Sequence, residues 1–347
     1  MAETFLAEIR EQPEALLRLV EARPQVEAVA AALAERGVGE VRLVGHGSSD
    51  AAASYGVYAF GLLTGWTAFR DSISLSTYYR AELDFSRSAV IALSQSGETP
   101  DVVSYASRAR ERGAVVVAVT NEPKSALADS AEWTLELHAG EERAVAASKT
   151  LLNTFAVLGF LAGVAAGRGD EVAHAMRKTA ALMADALPGL EEAVAPIANT
   201  FAFVGRMYVI GRGIELGTAR EVALKLTETC RIAAEPVTST DLSHGPIAAV
   251  DAMFPVWTIA SRDECLPALV EAAALARRAG ATLVATGSAA DEVEGAAYRL
   301  PVPEAALPVL SPLLSVVPGQ LFAAALARAK GLDPSQPAGL TKVTLAQ

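Results

Sequence analysis

Cysteine is almost missing from this 347-residue chain: Cys230 and Cys265 stand far apart, without metal-ligand spacing. Two such residues build no disulfide framework, which suits a reducing, cytoplasmic location. Histidine is scarce as well. His46, His138, His174 and His244 are scattered, so no metal site and no cofactor are expected. Positive charge is in short supply: 29 Lys and Arg against 40 Asp and Glu leave a net charge of -11 and no basic block. That argues against nucleic acid or an anionic membrane as partner. A bound phosphate must then be held by hydroxyls, backbone N–H groups and helix ends. Unbroken apolar runs are also lacking. Residues 150–167 carry no charge but include Asn153 and three glycines, and 305–327 is interrupted by Pro308, Pro312 and Pro318. Both read as buried core or interface helices, not membrane spans, and the charged, amphipathic residues 1–24 do not resemble a secretory signal. What is present in quantity is apolar material, 52% of residues, enough for two packed domains and too much for a disordered chain.

The chain repeats itself. V-R-L-V-G-H-G at 41–47 parallels M-Y-V-I-G-R-G at 207–213, and A-V-I-A-L-S-Q-S at 89–96 parallels P-V-W-T-I-A-S-R at 255–262. Residues 106–120 match 273–287, and 133–137 match 298–302. Four elements thus recur in order at an offset of 165 to 167 positions. Apolar strands such as V-V-V-A-V alternate with helical segments, the pattern of strands buried on both faces of a parallel sheet. The expected fold is α/β: two doubly wound domains, Rossmann-like or flavodoxin-like, related by duplication. The expected organisation is leading helices over 1–38, a first domain over 39–167, a helical connector over 168–200, a second domain over 201–330, and a tail over 331–347.

In open parallel sheets, ligands bind where strands end and helices begin. The strand at 41–44 runs into G-H-G-S-S, presenting Gly47, Ser48 and Ser49. The strand at 89–93 runs into S-Q-S-G-E-T-P-D, presenting Ser94, Gln95, Ser96 and Thr99. Thr99 is a natural N-cap, Pro100 suits the first helical position and Asp101 the first turn. One such loop reads as a capped turn, whereas two at adjacent strand ends point to a phosphomonoester. The second half lacks this loop, with A-S-R-D-E-C-L-P at 260–267. Its distinctive segment is E-V-A-L-K-L-T-E at 221–228, which sets Glu221, Lys225 and Glu228 on one helix face. That spacing also describes a solvated salt-bridge ladder. His244, in D-L-S-H-G-P, is placed as a proton carrier or simply exposed.

These motifs, together with V-A-A-S-K-T at 145–150, A-E-P at 234–236 and L-T-K-V-T at 340–344, resemble the tandem sugar isomerase (SIS) family over about residues 20–347. The likeness is to the isomerase half of glutamine–fructose-6-phosphate aminotransferases and to stand-alone SIS-type glucosamine-6-phosphate deaminases. It implies that Ser49, Ser94, Gln95, Ser96 and Thr99 hold a sugar phosphate. It assigns Gly47, Ser48, Val145 and Ala147 to the sugar. Glu228 moves the proton between C1 and C2 beside Lys225. His244 opens the ring from a neighbouring subunit of a homodimer with shared active sites, and Lys342, in a tail lying over that site, forms an imine. Two departures stand out: Ala147 replaces a hydroxyl residue, and Ser243 replaces a lysine. The chain starts Met1-Ala2 with both cysteines internal, so glutamine hydrolysis through an N-terminal cysteine is not expected. The implied activity converts a hexosamine 6-phosphate, such as glucosamine 6-phosphate, into fructose 6-phosphate and ammonia. The alternatives are a fructosamine-6-phosphate deglycase, an ammonia-dependent synthase, and a non-catalytic sugar-phosphate sensor.

Overall fold

The structure is a computed structural model and describes residues 3–252 and 254–342. These contain ten strands in two five-stranded sheets. The first holds β1 (Glu40–Val44), β2 (Thr67–Arg70), β3 (Ser88–Leu93), β4 (Val115–Thr120) and β5 (Trp133–Glu136), in the order β2-β1-β3-β4-β5. The second holds β6 (Arg206–Gly211), β7 (Ala233–Thr238), β8 (Pro255–Ile259), β9 (Thr282–Gly287) and β10 (Tyr298–Pro301), in the order β7-β6-β8-β9-β10. Every pairing is parallel. The two orders are the same flavodoxin-like winding read twice. The expected duplicated α/β fold is therefore observed. The registers agree as well. Val44 pairs with Ala92 and Ile210 with Thr258, each residue lying 166 positions from its counterpart.

Thirteen α-helices accompany the described strands. They are α1 (Glu3–Arg10), α2 (Gln12–Glu21), α3 (Arg23–Glu35), α4 (Ser48–Thr64), α5 (Ile73–Thr77), α6 (Pro100–Glu111), α7 (Ala126–Ser130) and α8 (Lys149–Ala165), followed by α9 (Gly169–Thr200), α10 (Glu215–Cys230), α11 (Ser239–Ser243), α12 (Leu266–Arg278) and α13 (Pro312–Ala329).

The described chain divides into two compact units. One comprises residues 14–142, 149–177 and 341–342, and the other residues 3–13, 143–148 and 178–340. In the first unit every residue of β3 and β4 is buried, as both faces of the sheet are covered. The apolar side of α6, with Val102, Tyr105 and Ala106, packs on Val90, Ala92, Val116 and Ala118. Helix α8 packs against α3 and α4. In the second unit α10 lies against α13, and Gly319 sits where an added Cβ would collide with Val222. Close helix contact at that point depends on the missing side chain.

The stretch Pro308–Ala329 is long and apolar enough to cross a membrane, but its apolar window is wholly buried. Residues 149–163 of α8 are buried too. Both stretches are core. Within the chain, 149–163 and 309–327 are buried throughout.

Candidate active site

The winding of the first sheet reverses between β1 and β3, so a crevice opens at the carboxyl ends of those two strands. The loops reaching it are the two hydroxyl-rich ones. After β1, Gly47 takes φ +57° and Ser48 begins α4, leaving Ser48 and Ser49 half-buried at the helix N-terminus. After β3, the buried Ser94 places its Oγ 2.9 Å from Thr99 Oγ1 and accepts the Gly97 N–H at 3.1 Å. Gly97 takes φ +67°, and a Cβ there would run into Ser125. Only glycine makes this turn, which leaves Ser96 and Thr99 half-buried on its rim. The Gln95 carbonyl is pinned by the Asn121 N–H at 3.0 Å. Its residue also borders a cavity of about 330 Å³ lined by Glu122, Glu136 and Glu142.

One expectation is corrected here. Thr99 occupies the N-cap position of α6, but its hydroxyl makes no capping bond. It turns to Ser94, whose Oγ competes for it inside the tight loop. A neighbour of this loop escaped notice in the sequence: His46 Nε2 stands 3.6 Å from Asp101 Oδ2.

In the second unit, α10 does not carry a solvated ladder. Lys225 is 1% exposed, Glu221 is fully buried and Glu228 is 22% exposed. Lys225 Nζ lies 2.5 Å from Glu228 Oε2 and 3.4 Å from Glu221 Oε1. Desolvating three such ions costs more than their close pairing returns, so the helix spends stability on this arrangement. Of the three, Glu228 opens onto a cavity of about 370 Å³, whose walls include Thr227, Arg231, Asp333 and Gln336.

The remaining candidates are dispersed. His244 is exposed at the end of α11, its N–H donating to the Asp241 carbonyl at 2.9 Å. Val145 and Ala147 are half-buried and belong with the second unit, where the Val145 N–H donates to the Ser335 carbonyl at 2.9 Å. Lys342, with its side chain 24% exposed, donates from Nζ to Glu142 Oε2 at 2.6 Å. Glu142 is fully buried and also accepts the Thr150 hydroxyl at 2.7 Å. Sequence reasoning missed Glu142, since E-E-R at 141–143 has the look of a solvated run. Among the described residues, no group of three or more His, Cys, Asp or Glu is arranged to hold a metal ion.

A duplicated flavodoxin-like fold with a Ser-x-Ser-Gly-x-Thr turn at its first switch point finds its counterpart in one family model, the SIS domain, which matches residues 38–163 and 201–329. The chain belongs to the SIS family. The chain aligns over 97% of its length with a glutamine–fructose-6-phosphate aminotransferase [isomerizing] from Aeropyrum pernix, at 34% identity. That alignment covers 56% of the relative, so this chain spans rather more than half the length of the curated relatives it matches. The C-terminal domain of glucosamine-fructose-6-phosphate aminotransferase from Francisella tularensis superposes with a TM-score of 0.88 at 24% identity, covering 96% of this chain and 98% of that one. Glucosamine-6-phosphate deaminase from Thermotoga maritima gives 0.81 at 22% identity, covering 99% and 100%. At these identities the two structures establish the fold alone. The family assignment makes the chain a member of the phosphosugar isomerase group.

Proposed function

We propose that this SIS protein converts a hexosamine 6-phosphate into a ketose 6-phosphate and ammonia. The observation that carries the reading is the α10 cluster: a buried Lys225 between Glu221 and Glu228, with Glu228 facing a cavity. A sensor of sugar phosphates needs an anion cradle but has no use for a buried ionic cluster that costs stability. A proton-transfer enzyme needs a carboxylate held ionised by a neighbouring cation and partly withdrawn from water.

In this reading Ser49, Ser94, Gln95, Ser96 and Thr99 hold the phosphate of the substrate. Gly47, Ser48, Val145 and Ala147 border the sugar. His244 protonates the ring oxygen and opens the ring. Glu228 removes the C2 proton of the 2-amino aldose and delivers a proton to C1, which leaves a ketimine at C2. Water adds to that carbon and ammonia leaves, giving the ketose phosphate. Lys342 can replace ammonia as the amine on C2 and form an imine, later released by water. We place His244 in the site of a second copy of the chain, so that a homodimer is the working unit. A phosphorylated sugar as substrate fits the cytoplasmic location expected from the cysteines.

The test is ammonia release across hexosamine 6-phosphates, their unphosphorylated sugars and fructosamine 6-phosphates. Release from the hexosamine 6-phosphates alone supports the proposal. Release from a fructosamine 6-phosphate alone makes the protein a deglycase. Binding without turnover of any of them makes it a sensor.

A further inference from the structure

The second sheet has a switch point of its own, between β6 and β8, and the chain fills it from within. Counting 166 positions along the paired strands carries Val44 to Ile210 and Ala92 to Thr258, and the same step carries Ser49 to Glu215. The first residue is one of the hydroxyls assigned to the sugar phosphate. The second is a carboxylate, 2% exposed, in the first turn of α10.

Four hydroxyls close on that carboxylate. Ser261 and Ser311 each donate to Glu215 Oε1 at 2.6 Å, while Thr218 and Ser315 each donate to Oε2 at 2.6 Å. All four are buried. Two donors on each oxygen is what an ionised carboxylate accepts, and a helix N-terminus favours negative charge. Ser261 lies on the loop after β8, at the place Gln95 takes after β3, and the pocket it lines with Arg212, Glu215 and Asp263 has no room for a water molecule. Burial pushes the neighbouring Asp263 carboxyl upward, and the negative charge of Glu215 adds to the effect. The arrangement is a hydroxyl cradle around an oxyanion, the kind of site the first sheet offers to an external phosphate.

We propose that Glu215 is the resident anion of a second phosphate-type cradle, so that each chain takes up one sugar phosphate and not two. The comparison rests on the reading of the first-sheet loops as a phosphate site. With its anion built in, the second cradle clamps the start of α10, the helix that presents Lys225 and Glu228. Removing the Glu215 side chain exposes a latent site for a small oxyanion.

The experiment uses the full chain and inorganic phosphate as probe, with acetate for comparison. The first cradle is silenced by Ser96→Ala and Thr99→Ala, and Glu215→Ala is added to that background. The doubly substituted protein is expected to bind no phosphate in calorimetry. The triply substituted protein is expected to bind one phosphate per chain and to melt at higher temperature as phosphate is raised. A folded triple variant that takes no phosphate, or takes acetate but not phosphate, overturns the proposal. If the triple variant does not fold in buffer, refolding in phosphate against chloride of equal ionic strength decides. Phosphate-dependent recovery supports the proposal, and equal recovery or none in either salt overturns it. A wild-type chain that binds no phosphate counts against the first cradle, whereas the gain on removing Glu215 reports on the second alone.

Discussion

Lys225 Nζ is held 2.5 Å from Glu228 Oε2 and 3.4 Å from Glu221 Oε1, one buried cation between two carboxylates on a single helix face. The pairing fixes the Glu228 carboxylate in place, with 22% of its side chain left exposed toward the cavity. Glu228→Gln preserves the shape and removes the base. We expect turnover of a hexosamine 6-phosphate to fall about 100-fold or more, with substrate affinity largely kept. Steady-state kinetics beside a direct binding measurement checks this, and near-normal turnover reduces α10 to a structural ion pair.

Lys342 approaches Glu142 at 2.6 Å, so its ammonium is anchored although it lies late in the chain. If Lys342 forms the imine, cyanoborohydride added with a ketose 6-phosphate should trap a covalent sugar adduct on it. Peptide mass mapping locates the adduct, and Lys342→Arg should abolish it because a guanidinium does not condense with a ketone. An adduct on another lysine, or none, removes Lys342 from the chemistry.

His244 is exposed at the end of α11, available to a second copy of the chain. An inactive His244→Ala protein mixed with an inactive Glu228→Gln protein should regain part of the activity once subunits exchange. Full activity in a sample shown to be monomeric by sedimentation contradicts the shared site.

Cys230 is buried, and that burial pushes its thiol up to about 11. At pH 8 only about one part in a thousand is thiolate, the reactive form. Native protein should therefore alkylate at the half-buried Cys265 first, with Cys230 reacting only on unfolding. Stability tied to the neutral thiol is intact below the ordinary thiol range and is lost as pH rises through about 11. Rapid labelling of Cys230 in the native state at pH 8 contradicts its burial.

The sequence disclosed four strands of each sheet but not the edge strands β2 and β7. β1, β3, β4 and β5 announce themselves by apolar runs that recur in the second half. β2, T-A-F-R, is four residues long and half exposed, while β7 contains Glu235 and Pro236, so neither has the composition of a strand. Pairing with a neighbour on one side only lets edge strands be short, polar and proline-bearing. At the site, the Ser94–Thr99 turn was legible because glycine and hydroxyls at close spacing have a local cause. Glu142 and Glu215 were not. Their partners, Lys342 for one and Ser261, Ser311 and Ser315 for the other, lie between 46 and 200 positions away and meet them only in the folded chain.

In the proposed reaction, ammonia leaves through an aldose–ketose shift. Proton and carbon NMR of glucosamine 6-phosphate incubated with the chain in D₂O tests it most directly. The C2 proton is expected to be lost as fructose 6-phosphate forms, with one ammonia per ketose, and Glu228→Gln is expected to suppress both. Ammonia released with the C2 proton retained, or glucosamine 6-phosphate left unchanged, would contradict it.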